Sequence, residues 1–119
     1  MTTIKEQTIM TRNFKDALAH RRTYYNIANS SPISDNEIKD IIDHAVKHVP
    51  SAFNSQSTRI VLLLGDQHKR LWDITKETLK KIVPEEAFKA TETKINNSFA
   101  SGYGTILFFE DKKEVKHLQ

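Results

Sequence analysis

The chain has 119 residues, of which 38% are apolar and 28% charged, a balance typical of one soluble globular domain. It contains no cysteine, which excludes disulfide and thiolate chemistry. The longest apolar runs, "IVLLL" and "TILFF", are too short to span a bilayer. The first residues also lack the apolar run of a secretory signal. We therefore expect a cytoplasmic protein without a membrane partner.

The net charge of +3 comes from eighteen basic and fifteen acidic residues. The basic residues are dispersed, and the short clusters at 68–70, 79–81 and 111–113 are typical of solvated helix faces. We expect no nucleic-acid partner, because a nucleic-acid interface requires a continuous basic surface. A modest positive balance also suits a small anionic cofactor, such as a phosphate ester.

The N-terminal region is predicted to contain an arm followed by a first helix. Residues 1–12 are expected to form the arm, either loose or wrapped around a partner. Helical spacing then places Phe14, Leu18 and Arg21 on one face, so Arg21 is expected to face inward with Arg22 beside it. A guanidinium on an inward face requires an anion or several acceptors. The alternative is a surface arginine that extends past the end of the helix.

A second helix is predicted after a polar connector. Ser34 and Glu37 have the spacing of a capping box, and Pro50 ends the segment. His44 and His48 lie four residues apart, a spacing that can hold zinc, but no third ligand is evident, so we expect solvated histidines. The apolar residues of this helix are expected to face inward, namely Ile38, Ile41, Ile42, Ala45 and Val49.

The segment "VPSAFNSQSTR", residues 49–59, links this helix to an apolar run. Polar loops are usually solvated turns, but this one lies between two elements that are both expected to be buried. Asn54 and Gln56 lie two residues apart, so in an extended segment they would point the same way. We expect their amides to face a specific ligand. The alternative is that they cap the preceding helix and the entry to the next strand.

The second half of the chain predicts two strands with two helices between them. The strands are expected at 60–64 and 105–109, and a last helix begins after the second strand. Asp66 is expected to cap the third helix, and Pro84 to open a fourth that ends near Ser101. Two consecutive helices return the chain to the end that it left. The strands are therefore predicted to be antiparallel within an α+β fold.

Both predicted strands are apolar on both faces, which is typical of covered central strands with neighbours on either side. Two strands alone make a marginal sheet, and the remaining sequence predicts no others. We therefore expect the chain to be incomplete as a folding unit. It would be either a fragment or a protein that completes its sheet with another chain.

Several stretches taken together, "HRRTYYNI", "SPISDNEI", "HAVKHVPSAFNSQSTRIVLLLG", "HKRLWDIT" and "SFASGYGTILFFED", resemble the nitroreductase family of flavoproteins. The resemblance is to a nitroreductase-like branch of bacteria and fungi. It implies an α+β homodimer, with helices packed on an antiparallel or mixed sheet and FMN bound at the subunit interface. Family members are nearly twice this long. The resemblance thus implies that residues 13–119 are the N-terminal part of one truncated domain, with two strands and four to five helices.

The resemblance also implies an activity. Family members are FMN-dependent NAD(P)H oxidoreductases that transfer hydride through bound flavin to nitroaromatic or quinone-like acceptors. No separate catalytic residue is expected, because the flavin carries the hydride chemistry. The alternative function is a truncated, catalytically inactive member of the family that only self-associates.

The cofactor contacts are likewise implied by the resemblance. Guanidinium groups pair well with phosphate, and planar amides can both donate to and accept from the pyrimidine edge of a flavin. Lys94 is a further candidate, although a surface position is the expected one. The residues that correspond to the family's motifs are Arg21 and Arg22 for the FMN phosphate, Thr23 in support, and Ser51, Asn54 and Gln56 for the ring and ribityl side.

Overall fold

The computed structural model of the protein describes residues 11–116 and has an α+β fold, as predicted. The predicted arm lies outside the described residues except for its last two positions. None of the described helices is both long and apolar enough to cross a membrane. The elements in chain order are α1 (Phe14–His20), α2 (Asp35–His48), a 3₁₀ turn (Ala52–Asn54), β1 (Thr58–Leu64), α3 (Asp66–Ile82), α4 (Glu85–Ser98), β2 (Gly104–Glu110) and α5 (Lys112–Val115).

The two strands form an antiparallel pair, which confirms the predicted direction. The register runs from Thr58 opposite Glu110 to Leu64 opposite Gly104. Helices α3 and α4, which lie between the two strands in sequence, pack against each other. Helix α3 also contacts β1. Each strand is two residues longer than predicted. The added residues, Thr58 and Arg59 in β1 and Gly104 and Glu110 in β2, extend the strands because the partner strand supplies hydrogen bonds for their backbone groups.

The observed start of α2 matches the predicted one, whereas the starts of α3 and α4 differ from the prediction in their capping residues. Ser34 is the N-cap of α2, and its hydroxyl accepts a hydrogen bond from the Glu37 backbone N–H at 3.1 Å, as predicted. Asp66 is not a cap. Gly65 occupies the N-cap position of α3 with φ of 57°, a left-handed conformation that glycine adopts freely, and Asp66 is the first helical residue. Pro84 is the N-cap of α4 and not part of its first turn.

A polar junction joins α3, the end of α4 and β2. The His68 side chain is 98% buried, with Nδ1 2.7 Å from Thr105 Oγ1 and Nε2 3.0 Å from the Ala100 carbonyl oxygen. The Trp72 indole N–H donates to the same Thr105 hydroxyl at 2.9 Å, and its ring stacks on Phe99 with 5.1 Å between centroids. A carbonyl only accepts, so Nε2 carries a proton. The Thr105 hydroxyl can then donate to Nδ1, and a neutral imidazole satisfies every group.

Much apolar surface is left uncovered within the described residues. Their one buried apolar side chain is Ile95, which is 4% exposed, whereas Phe14 is 80% and Leu18 60% exposed. The prediction that α1 turns an apolar face inward is therefore wrong within this chain, and Ile41 of α2 is also 61% exposed. The radius of gyration is 18.2 Å. A compact chain of this length would have a value of about 13 Å.

The His68 junction makes a prediction about stability. His68→Ala removes a buried group that pairs with both Thr105 and Ala100. We expect the free energy of unfolding, measured by urea denaturation, to fall by about 2–4 kcal/mol. His44→Ala is the matched control, because His44 is an exposed helical histidine whose loss should change stability by about 0.5 kcal/mol or less. Equal effects of the two substitutions would contradict the structural importance of the junction.

A second prediction concerns Tyr103, whose hydroxyl donates to Asp35 Oδ1 at 2.6 Å and so links the loop before β2 to the start of α2. This hydrogen bond, together with desolvation and the negative charge of Asp35, raises the pKa of Tyr103 above its ordinary value. The stabilisation is therefore complete below the ordinary tyrosine pKa and is lost as the pH rises through the raised one. In a titration of tyrosinate absorbance, Asp35→Asn should lower the pKa of Tyr103. Tyr103→Phe removes the absorbance of this residue and so identifies its signal. An unchanged pKa of Tyr103 in Asp35→Asn would contradict the contact.

Candidate functional site

A cleft of about 840 Å³ lies between the end of α2 and the start of β1. Three of the residues predicted to bind a cofactor, Ser51, Asn54 and Gln56, line it together. Apolar and basic residues from the end of α2, the segment that follows it and both strands complete the lining. These further residues include Val46, Lys47, His48, Val49, Pro50, Arg59, Ile60 and Phe108.

The loop that carries the three polar residues is not extended, so the predicted reason for their common direction is wrong. Residues 52–54 form a 3₁₀ turn, and three non-glycine residues have left-handed backbones, with φ of 53° at Phe53, 52° at Asn54 and 51° at Gln56. Asparagine tolerates this region better than phenylalanine or glutamine. Such strained conformations persist only where surrounding interactions fix them, and they concentrate at functional sites.

Ser51 fixes the first part of this loop. Its hydroxyl accepts a hydrogen bond from the Gln56 backbone N–H at 3.0 Å, and its carbonyl accepts one from the Asn54 N–H at 3.0 Å. Among residues 11–116, neither side-chain amide of Asn54 or Gln56 makes a hydrogen bond within the protein. The described contacts thus give no support to the alternative in which these amides cap the neighbouring helix or strand.

Glu110, at the end of β2, fixes the other end of the loop. Ser57 is 2% exposed, and its hydroxyl donates a hydrogen bond to Glu110 Oε2. The second carboxylate oxygen accepts from Thr58 Oγ1 at 3.4 Å. Ser55 Oγ lies 3.2 Å from Ser57 Oγ, so the two hydroxyls share a hydrogen bond.

Asp111 and Arg59 add a second attachment beside the first. The Arg59 guanidinium donates to the Gln56 carbonyl at 2.8 Å and to Asp111 Oδ2 at 3.2 Å. The Asp111 backbone N–H donates to the Ser57 carbonyl at 2.8 Å. The sequence prediction missed this attachment, although an antiparallel pair with Leu64 opposite Gly104 places "ED" opposite "ST" and next to Arg59.

The residues predicted for the phosphate do not line this cleft. Arg21, Arg22 and Thr23 follow the last turn of α1 and are exposed, and the Arg21 backbone N–H donates to the Ala17 carbonyl at 3.1 Å. Lys94 is exposed on α4 and likewise lies outside the lining. Contact with a phosphate remains a prediction for the three residues after α1.

The two histidines of α2 lie close together, with 4.4 Å between ring centroids. His48 lines the cleft, and His44 is exposed. Within the part of the chain that the structure describes, no group of three or more histidine, aspartate or glutamate side chains is arranged to hold a metal ion.

The left-handed backbone at Phe53 makes a prediction about stability. Phe53 is 88% exposed, so its side chain contributes little packing, whereas its backbone is strained. Phe53→Gly relieves that strain at a cost in chain entropy, and the net result should be a gain of about 0.5–1 kcal/mol in the free energy of unfolding. Ala52→Gly is the control, because Ala52 does not have positive φ and should gain nothing. A loss of stability in Phe53→Gly would contradict the strained conformation.

Comparison with known proteins shows similarity to nitroreductases. The sequence model of the nitroreductase family matches residues 18–118. The chain is 33% identical over 111 residues to nitroreductase FRM2 of Saccharomyces cerevisiae, an alignment that covers 92% of this chain and 54% of that protein. It is 34% identical over 104 residues to putative nitroreductase HBN1 of the same yeast, covering 86% and 50% respectively. The chain therefore spans about half the length of the curated relatives that it matches.

Solved structures give the same result. Nitroreductase CinD from Lactococcus lactis, in complex with chloramphenicol, superposes with a TM-score of 0.73 at 36% identity, over 90% of this chain and 52% of that one. A nitroreductase from Saccharomyces cerevisiae gives a TM-score of 0.70 at 32% identity, over 92% and 59%. From the sequence match across residues 18–118 and the shared fold, the chain belongs to the nitroreductase family.

Proposed function

We propose that this chain is part of an FMN-dependent NAD(P)H oxidoreductase that transfers hydride through bound flavin to nitroaromatic or quinone-like acceptors. Membership of the nitroreductase family supports oxidoreductase chemistry. The observation that carries the proposal is the cleft that joins Ser51, Asn54 and Gln56.

The residues of the cleft fit a flavin. The cleft has a volume of about 840 Å³, which lies in the range of cofactor sites. The side chains of Asn54 and Gln56 can both donate and accept, as the pyrimidine edge of the ring requires, and Val49 and Ile60 offer apolar contact to a flat ring. Bound FMN supplies the hydride chemistry. The chain's own residues would bind and orient the ring, and the amide donors of Asn54 and Gln56 would favour the negatively charged reduced flavin.

Arg21, Arg22 and Thr23 are proposed as the phosphate contacts. A phosphate ester near neutral pH carries close to two negative charges and pairs best with guanidinium forks and hydroxyl donors. These residues are exposed and so are accessible to a ligand.

We also propose that the assembled protein is a cytoplasmic homodimer. The support is the apolar surface that the described residues leave open, which includes Phe14 and Leu18 of α1 and Phe108 and Phe109 of β2. Exposed apolar surface of this extent is typical of an interaction site.

The proposed acceptors draw support from the structural neighbours. Nitroreductase CinD has been solved in complex with chloramphenicol and in complex with 4-nitrophenol. Both ligands carry a nitro group on an aromatic ring. They therefore support the same class of acceptor for this chain.

A titration with FMN tests the proposal. The protein should acquire a bound-flavin spectrum that bleaches on addition of NADPH. Arg21→Ala should weaken FMN binding by about 1.5–3 kcal/mol, which corresponds to roughly 10–150-fold. Lys89→Ala is the control, because Lys89 is exposed on α4 and its loss should change the affinity by about twofold or less.

The outcomes separate the two candidate functions. Failure to bind FMN, together with light scattering that shows a dimer, would favour the inactive, self-associating member of the family. The exposed apolar surface is the observation that keeps this alternative under test. Equal affinities of Arg21→Ala and Lys89→Ala for FMN would remove Arg21 from the phosphate site.

A further inference from the structure

We propose that Glu110 is a positioning residue for the cofactor cleft. Its carboxylate accepts the hydrogen bond of the buried Ser57 hydroxyl and thereby helps to hold the loop of residues 51–57, with its left-handed backbone at Asn54 and Gln56, in the form that brings these two residues into the cleft lining. Glu110 itself does not line the cleft. The inference deepens the proposed function and rests on it where FMN is concerned.

The first step is the burial of Ser57. Its residue surface is 2% exposed, so its hydroxyl cannot exchange a lost partner for bulk water without rearrangement. The two partners within reach are Ser55 Oγ at 3.2 Å and the Glu110 carboxylate. Of these, the carboxylate is the stronger acceptor. Glu110 therefore supplies the main interaction of the Ser57 side chain.

The second step is the position of Ser57 directly after Gln56, which has φ of 51°. The Gln56 N–H donates to Ser51 Oγ at 3.0 Å, and its carbonyl accepts from Arg59 Nη1 at 2.8 Å. The left-handed residue thus has both backbone groups paired and is attached on each side. Ser57 is bonded directly to Gln56, so releasing its side chain loosens the residue that follows Gln56 and lets Gln56 relax toward an ordinary backbone conformation.

The third step is the division of roles between two successive carboxylates. Asp111 holds Arg59 by its side chain and the Ser57 carbonyl by its backbone N–H. Glu110 holds the hydroxyls of Ser57 and Thr58. Because Thr58 and Glu110 are directly opposite in the sheet, the strand register delivers this carboxylate to the base of the loop.

Glu110→Ala, made in the full chain, tests the inference with two measurements. Hydrogen exchange of the Gln56 amide should speed up by about tenfold, and FMN should bind about tenfold more weakly, a change of about 1.4 kcal/mol. Glu110→Gln should restore most of both, because its amide oxygen still accepts from Ser57. Glu92→Ala removes an exposed carboxylate from α4 and should leave both unchanged.

Ser57→Ala and the double variant Ser57→Ala with Glu110→Ala complete the test. If both residues act through one hydrogen bond, the double variant should weaken FMN binding no more than either single change. Additive losses, or an unchanged Gln56 exchange rate in Glu110→Ala, would overturn the inference. If the unaltered chain binds no FMN, the proposed function fails, while the exchange rates still decide the role of Glu110.

Discussion

The antiparallel pairing of β1 with β2 is the interaction on which the rest of the structure depends. It brings together Thr58 and Glu110, which are 52 residues apart along the chain. Closing a loop of that length costs chain entropy, and the ladder together with the polar contacts at its end offsets the cost. Because the register is fixed, the loop before β1 acquires its partners from the residues that end β2. The geometry of the cleft is in this way a consequence of strand pairing.

Directional polar contacts contribute much of the order in the described residues, since apolar burial is sparse there. One apolar side chain is buried, whereas His68 and Ser57 are each 2% exposed and each fully paired. The hydrogen bonds of His68 hold α3 against the start of β2 at one end of the sheet. The Glu110 carboxylate holds the polar loop at the other end. Groups of this kind specify a unique arrangement, because any slip in register leaves a buried polar atom without a partner.

The sequence was sufficient to predict the helices and strands, but it did not predict the conformation of the loop at residues 51–57. Ser34 and Pro50 marked the ends of α2, and two helices between strands required antiparallel pairing. The left-handed backbone at Phe53 and Gln56 has no signal in the residue types, because neither residue favours positive φ, and one of the contacts at the end of the loop joins Ser57 to Glu110, 53 positions away. Burial of His68 depends on which part of α3 meets β2, which periodicity does not encode. For α1, spacing indicates an apolar face but does not say what covers it.

The chain contains one tryptophan, and its place in the fold gives the protein a built-in optical reporter. Trp72 stacks on Phe99 and donates to Thr105, whereas the cleft lining does not include it. Intrinsic emission therefore monitors the packing of α3 against α4 and β2 and is separate from direct contact with a ligand in the cleft. An emission change on adding a non-absorbing ligand would reveal communication between the two ends of the sheet without any label.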